Sequence, residues 1–263
     1  MTRRAIQFPC EGSLLAGTID EAPGETGLLI VSGGNEIRAG AWAGQAQLAA
    51  RIAAAGYPVL RFDRRGVGDS EGGNAGFRSS GPDIAAALAA LRAEAPQVRR
   101  VVAFGNCDAA SALMLVGGAS CDALVLANPW TFDGEAEAPP PQLIRDHYRR
   151  RLSDPRALLR LLMGRVSLRQ ALASLRQAAG GEKQDAAGLA QEMAQGLDAF
   201  PGEVHFLLAE RDRTAKAFLA RWNRQDPRLL YCPAATHGFV EAAARDWLTH
   251  QLLEVLAAAD RAI

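Results

Sequence analysis

The stretch that decides the fold of this chain is VVAFGNCDA, residues 101–109. Its apolar, β-branched start predicts a buried strand, and the helix-forming residues from Ala109 to Leu115 predict a helix directly after it. Between the two, Gly-x-Cys-x-Ala is typical of a sharp strand-to-helix turn that exposes its central side chain at the edge of a sheet. The sequence therefore predicts that Cys107 is exposed at such a turn.

Apolar runs and helix-forming runs alternate on both sides of this turn. The predicted strands are Ala5–Phe8, Leu14–Ile19, Gly27–Val31, Pro58–Phe62, Arg100–Phe104, Leu124–Ala127, Val204–Ala209 and Arg228–Cys232. The predicted helices include Ala41–Ala55, Asp83–Ala93 and Thr214–Asn223. This order predicts a three-layer α/β fold, in which a mostly parallel sheet carries helices on both faces. The first two strands are expected to be antiparallel.

One segment interrupts the alternation, and we predict a helical lid insertion over residues 129–196. It separates two parts of the core, residues 1–128 and 197–263. The helices predicted in it are Gln142–Leu152, Arg156–Met163 and Leu168–Gln177, and residues 142–177 carry nine Arg against two Asp. Because the whole chain has a formal net charge of zero, the rest must be acidic. The arginines form either a solvated helix face or a contact for an anionic ligand or partner.

Composition limits the classes of function. The 263 residues are 49% hydrophobic, which is enough for a full core, and the zero net charge offers no global field for nucleic acid. No apolar run approaches the roughly 18 residues of a membrane span. The four cysteines are scattered without the spacing of a metal site. We expect a cytoplasmic protein that needs no metal or cofactor, and its oligomeric state stays open.

Two downstream loops hold the partners that a cysteine nucleophile requires. A base or a positive local field must supply the thiolate. Asp212 follows the strand that ends at Ala209, with Glu210 as the alternative acid, and His237 follows the last strand. The order nucleophile, acid, histidine is the one expected when each group follows a strand of one sheet. We therefore predict Cys107, Asp212 and His237 as the catalytic residues.

Acyl transfer also needs hydrogen-bond donors for a developing oxyanion. The backbone N–H of Asp108, at the start of the helix, is one candidate. The glycine-containing loop after the third predicted strand is placed to supply the second, from the N–H of Gly34 or, as the alternative, of Asn35.

Three sequence blocks, taken together, resemble the α/β-hydrolase superfamily over nearly the whole chain. They are Asp63–Ser70, the turn at Cys107, and Thr236–Phe239. The resemblance implies the α/β-hydrolase fold and assigns the triad to Cys107, Asp212 and His237. A cysteine nucleophile is similar to that of dienelactone hydrolase. The chain departs from the superfamily pattern where Ala109 replaces the second glycine of the turn and Ser32 replaces a histidine.

A narrower resemblance is to the exosortase A system-associated hydrolases, type 1. It is carried by the Cys-Asp dipeptide, by the Gly-Gly loop with Arg38 nearby, and by the run Leu161–Arg165. These proteins occur with bacterial exopolysaccharide and protein-sorting loci. The resemblance implies a cytoplasmic hydrolase.

The predicted substrate is a small acyl ester or thioester that Cys107 cleaves through an acyl-enzyme, and an anionic or a carrier-linked acyl group is among the candidates. Candidate substrate contacts are Arg38, Asn106 and Arg149. Two alternatives remain at this point. The same site could transfer the acyl group to an acceptor other than water, or the chain could be a catalytically silent module that binds an anion or a partner.

Overall fold

A computed structural model of the chain describes residues 2–132 and 185–261. The strands are β1 (Arg3–Cys10), β2 (Ser13–Asp20), β3 (Thr26–Val31), β4 (Val59–Phe62), β5 (Arg100–Asn106), β6 (Ala123–Ala127), β7 (Glu203–Ala209) and β8 (Leu229–Cys232). The helices are α1 (Gly44–Ala54), α2 (Gly81–Glu94), α3 (Asp108–Leu115), α4 (Asp185–Asp198), α5 (Arg213–Leu219) and α6 (Ala242–Arg261).

The eight strands form one sheet in the order β1-β2-β4-β3-β5-β6-β7-β8. β1 pairs antiparallel with β2, and β2 pairs antiparallel with β4. All pairings from β4 to β8 are parallel. The predicted mostly parallel sheet with an antiparallel first pair is thus confirmed. Because parallel strands end at one edge, the loops after β3, β5, β6, β7 and β8 meet there.

Helices cover both faces of the sheet, so the predicted three-layer architecture is confirmed. α1 and α6 contact each other on one face, and α2 and α3 contact strands from the other face. Leu48 of α1 and Leu248 of α6 belong to one buried cluster with Phe104 of β5. Every residue of β3 and β4 is buried, as expected for central strands with helices above and below.

Two helix boundaries differ from the prediction by more than two residues. The first predicted helix begins at Gly44 instead of Ala41, because Trp42 and Ala43 have left-handed φ angles of 59° and 58°. An L-residue rarely adopts this conformation, so the helical propensity of the segment gives no sign of it. The helix predicted to end at Asn223 ends at Leu219. α4 covers residues for which the sequence analysis predicted no helix or strand.

The chain divides into two compact units, Met1–Thr131 with Ala190–Ile263, and Phe132–Leu189. The sheet belongs to the first unit. The three predicted lid helices and Arg149 lie outside the described residues, so the lid remains a prediction. Within residues 2–132 and 185–261, no helix combines the length and the apolar character needed to cross a membrane.

Candidate active site

The turn between β5 and α3 holds Cys107 in a strained backbone conformation. Its φ is 63° and its ψ is −128°, a region that non-glycine residues rarely occupy. A Cβ atom added at Gly105 would lie 2.7 Å from the carbonyl carbon of Ala109 and 2.8 Å from the nitrogen of Ala110. Strand and helix therefore approach too closely for a side chain at position 105. Such strain is typical of a functional residue that its surroundings hold in place.

His237 and Asp212 meet at the carboxyl edge of the sheet. Asp212 Oδ2 lies 2.9 Å from Nδ1 of His237, and the carboxylate is almost fully buried. Burial acts to raise the pKa of Asp212, but hydrogen bonds from His237 and from the backbone of α5 outweigh it and lower the pKa. The alternative acid, Glu210, is exposed. Asp212, and not Glu210, is therefore the acid that is hydrogen-bonded to this imidazole.

The pKa of His237 is raised to about 10. The largest cause is its hydrogen bond with Asp212, followed by a hydrogen bond with Cys107, and burial opposes both. The imidazole is consequently protonated near neutral pH and faces the Cys107 sulfur. The structure thus places His237 between Asp212, to which its ring is hydrogen-bonded, and Cys107, which contributes to its raised pKa.

Two asparagine amides hold the backbone of His237. Asn106 and Asn128 each donate from Nδ2 to the His237 carbonyl oxygen, at 3.1 Å in both cases. Asn128 also donates to Asn106 Oδ1 at 3.0 Å and accepts from the N–H of Ala209 at 2.9 Å. These bonds tie the ends of β5, β6 and β7 to the histidine loop.

Asn128 was missed by the sequence analysis, and Asn106 was assigned a different contact. The Asn106 amide binds the protein itself, whereas we expected it to contact substrate. Asn128 is fully buried and has a φ of 43°. The available signal was its position: it directly follows a predicted strand at the edge where the other strands also end.

The Asp108 carboxylate accepts a hydrogen bond from the Gly34 N–H, the group predicted to bind the oxyanion. The Gly34 N–H donates to Asp108 Oδ1 at 2.6 Å, so this N–H is not free for an incoming oxygen. The buried Arg64 lies 3.4 Å from Asp108 Oδ2 through Nη2 and also donates to the Gly34 carbonyl oxygen. Within the part of the chain that the structure describes, the backbone N–H of Asp108 and that of Asn35 have no hydrogen-bond acceptor.

Arg38 binds a structural turn. Its guanidinium donates to Asp63, to Asp69 at 2.8 Å and to Thr18 at 3.1 Å. Asp63 is fully buried and also accepts from the backbone N–H groups of Arg38 and Asp69. Arg38 therefore holds the Asp63–Ser70 turn, and its contact with a substrate stays a prediction.

No group of three His, Cys, Asp or Glu side chains in residues 2–132 and 185–261 is arranged to hold a metal ion. What the site offers is a thiol, a protonated imidazole, a buried carboxylate and backbone N–H groups at the start of a helix. This set is suited to nucleophilic attack on a carbonyl group.

Several solved structures share this fold. An esterase from Pyrococcus furiosus, Pf2001, is 14% identical with a TM-score of 0.63, and the match covers 98% of this chain and 93% of that one. The α/β hydrolase GrgF from Penicillium sp. sh18 is 15% identical with a TM-score of 0.65, and the match covers 99% and 100%. A thioesterase domain from the curacin biosynthetic pathway is 14% identical with a TM-score of 0.56, covering 97% and 100%.

Comparison with family models agrees with the fold. No curated protein sequence matches the chain significantly. The model of the alpha/beta hydrolase family matches residues 28–249, which is most of the chain and includes the turn at Cys107, Asp212 and His237. The chain belongs to the alpha/beta hydrolase family.

Proposed function

We propose that this protein hydrolyses an ester or thioester through an acyl-enzyme formed on Cys107. The observation that carries the proposal is the 2.9 Å contact between Asp212 Oδ2 and His237 Nδ1, with Cys107 beside the same imidazole. The strained φ of Cys107 supports the same assignment, since it exposes the thiol at the edge of the sheet.

In the first half-reaction, the Cys107 sulfur attacks the carbonyl carbon of the substrate as a thiolate. A C–S bond forms, and the carbonyl oxygen becomes an oxyanion. The Asp108 N–H and, once Asp108 has released it, the Gly34 N–H stabilise this oxygen. When the intermediate collapses, the bond to the leaving group breaks, and His237 gives its proton to the departing oxygen or sulfur.

In the second half-reaction, water cleaves the acyl-enzyme. The acylated sulfur carries no charge, so one of the influences that raise the pKa of His237 is lost. The imidazole, now neutral, accepts a proton from water as the water oxygen attacks the acyl carbon. The C–S bond breaks, the carboxylic acid leaves, and the thiolate–imidazolium pair is restored.

The choice of cysteine favours thioesters and activated esters. A thiolate is a strong nucleophile but also a good leaving group, so a substrate whose own leaving group departs readily suits it best. The proposal also includes a cytoplasmic setting beside an exosortase or exopolysaccharide system. We also propose that the acyl group is anionic or carrier-linked and that the arginine-rich segment around Arg149 binds it.

The test is turnover of p-nitrophenyl esters and acyl-CoA thioesters, with mass spectrometry of the intact protein to detect an acyl adduct. We expect turnover and an adduct that maps to Cys107, and we expect Cys107→Ala to lose both. The absence of both turnover and adduct across the panel would overturn the proposal. Product ratios that change strongly when alcohols or amines are added would instead indicate acyl transfer to those acceptors.

A further inference from the structure

A cavity of about 110 Å³ lies between α1 and α6. Its walls include Leu48, Phe104, Phe239, Val240 and Leu248, which are apolar. Most of its polar lining residues are carried by the two helices. The mechanism above assigns no role to this cavity.

One end of the cavity lies beside the candidate active site. Asn106 and Gly238 both line it, and they are the residues immediately before Cys107 and immediately after His237. Neither the cysteine nor the histidine lines the cavity itself. A substrate whose carbonyl group is at Cys107 therefore has the cavity one residue away on the α1 side of the sheet.

The cavity runs from that edge along α1. Its lining on this helix extends from Gly44 to Arg51, seven residues apart, which corresponds to about 10 Å at 1.5 Å per residue. At the far end, Arg51 Nη1 pairs with Asp246 Oδ1 at 2.7 Å and links α1 to α6. The result is a slot that extends from the neighbours of Cys107 and His237 to Arg51, the residue that pairs with Asp246.

An exposed tryptophan, Trp42, lies beside the slot just before α1 begins. Trp42 lines the cavity, and 79% of its surface is exposed. Trp42 and Ala43 are consecutive non-glycine residues with left-handed backbone angles, and α1 begins directly after them without a side-chain cap. This conformation keeps a large apolar ring exposed beside the slot, where an apolar ligand would cover it.

We propose that this slot binds the apolar acyl chain of the substrate, with the chain running from Cys107 past Asn106 and Gly238 between α1 and α6. The inference rests on the function proposed above and adds the substrate class: esters or thioesters of unbranched, medium-length fatty acids. Because the walls are apolar, the slot suits the acyl chain of the substrate and not its leaving group. A polar leaving group such as coenzyme A would lose its hydration there without compensating hydrogen bonds.

Chain-length selectivity tests the proposal. The wild type is assayed with p-nitrophenyl esters from acetate to dodecanoate, beside Leu48→Phe and Leu248→Phe, which fill the slot. Each buried methylene should raise kcat/KM by about fourfold until the slot is full. We expect the octanoate-to-acetate ratio of kcat/KM to fall by at least about tenfold in both variants. Leu14→Phe, the same exchange at an exposed position of β2 outside the cavity, should keep the wild-type ratio.

Leu248→Ala gives an opposite change that does not depend on tolerance of a larger side chain. It lengthens the slot, so the preferred ester should become longer than in the wild type. The proposal is overturned if the filled and the enlarged variants all keep the wild-type ratio while their circular dichroism remains native.

A binding measurement separates this inference from the hydrolase proposal. Octanoate is titrated into Cys107→Ala and into the double variant Cys107→Ala with Leu248→Phe, followed by tryptophan fluorescence. Saturable binding to the first protein that weakens at least about tenfold in the second supports the slot even if no ester is turned over. Equal binding of octanoate to both proteins, together with turnover that does not depend on chain length, would overturn the proposed acyl-chain site. The hydrolase proposal would be unaffected.

Discussion

Asp212 holds His237 with the same oxygen atom that caps a helix. Asp212 Oδ2 lies 2.9 Å from His237 Nδ1 and accepts the backbone N–H of Ala215 at 3.0 Å. The carboxylate is therefore fixed by α5 before it orients the imidazole. One substitution can therefore remove the charge alone, and a second can remove the charge together with the cap.

Asp212→Asn keeps an oxygen for the cap but removes the negative charge. We expect kcat to fall by about three to four orders of magnitude, because the imidazole loses its orienting acid. Asp212→Ala removes the cap as well and should lower the free energy of unfolding by about 1 kcal/mol beyond the asparagine variant. Ester turnover and urea unfolding measure the two effects.

The matched control is Asp226→Asn. Asp226 is a buried acid that binds Trp222 and Arg228, and it makes no contact with His237. This variant should retain the activity of the wild type. Wild-type activity in Asp212→Asn would contradict the assigned role of the acid.

The His237–Asp212 pair makes stability depend on pH. The pKa of His237 is raised from 6.5 to about 10 in the folded protein, first by Asp212 and then by Cys107. Its contribution is therefore fully present below pH 6.5 and is lost as the pH rises through about 10. The pKa of Asp212 is lowered from 3.8, so its contribution is lost in acid below that value.

Urea unfolding of the wild type and of His237→Gln at pH 6, 8 and 10 checks this dependence. We expect the stability difference between the two proteins to be largest at pH 6 and to shrink toward pH 10. A difference that is constant or grows with pH would show that the imidazole is neutral in the folded state.

Cys107 should be the thiol that is alkylated first. Burial raises the pKa of Cys10, where a hydrogen bond with Asp83 adds to it, to about 11, and burial raises that of Cys121 to about 12. Burial also raises the pKa of Cys232. Cys107 is partly exposed and faces a protonated imidazole. Iodoacetamide at pH 7, followed by peptide mass spectrometry, should modify Cys107 first.

The control for labelling is His237→Ala, in which we expect the rate at Cys107 to fall by at least about tenfold. Slow labelling of Cys107 in the wild type, with no change in the variant, would favour the silent binding module over an enzyme.

Local pattern was enough to predict the strands and the order of the three key residues. All eight strands of the sheet lie where apolar runs in the sequence predict them. The loops that follow parallel strands lie at one edge of the sheet. The sequence therefore predicted that Cys107, Asp212 and His237 lie close together. Nothing beyond chain order was needed for that step.

Side-chain partners could not be predicted in the same way. The Asp108 carboxylate reaches Gly34, which is 74 residues away in sequence, and Asn128 reaches His237 across 109 residues. A hydrogen bond of this kind depends on the three-dimensional distance between two short polar groups, and the spacing of the two residues in the sequence does not indicate that distance. For the same reason, Arg38 looked available for a substrate although Asp63 and Asp69 already bind it.

Asn128 should position the histidine. Asn128→Asp keeps the shape of the side chain but replaces the N–H donors with an oxygen that faces the His237 carbonyl oxygen and Asn106 Oδ1. We expect kcat to fall by about ten- to hundredfold with little change in KM, because the imidazole shifts while the substrate site stays in place. The pH profile of kcat should shift as well, which a purely structural defect would not produce.

Asn128→Gly is the second variant for this position. Glycine accepts the left-handed φ of 43° without strain but removes all the amide bonds, so it should also lose activity. Full activity in both variants, with native circular dichroism, would remove Asn128 from the machinery of the site.

Asp108 should restrain the enzyme. Its carboxylate occupies the Gly34 N–H at 2.6 Å, and a substrate carbonyl must displace it before that N–H can act. A hydrogen bond to a charged group contributes about 1.5–3 kcal/mol, so removing it should raise kcat/KM for small neutral esters by about ten- to hundredfold in Asp108→Ala. Asp108→Asn retains an acceptor oxygen and should give a smaller increase.

The same substitution should lower stability, because Arg64 loses its carboxylate partner while it stays buried against Ser80 and the Gly34 carbonyl oxygen. Opposite changes in activity and unfolding free energy would therefore identify a carboxylate that blocks the oxyanion donor in the resting state. A loss of activity in Asp108→Ala would mean that the carboxylate supports the reaction, and that the Gly34 N–H serves to hold Asp108 instead of the substrate oxygen. Steady-state kinetics and urea unfolding of the two variants, measured side by side, decide between these roles.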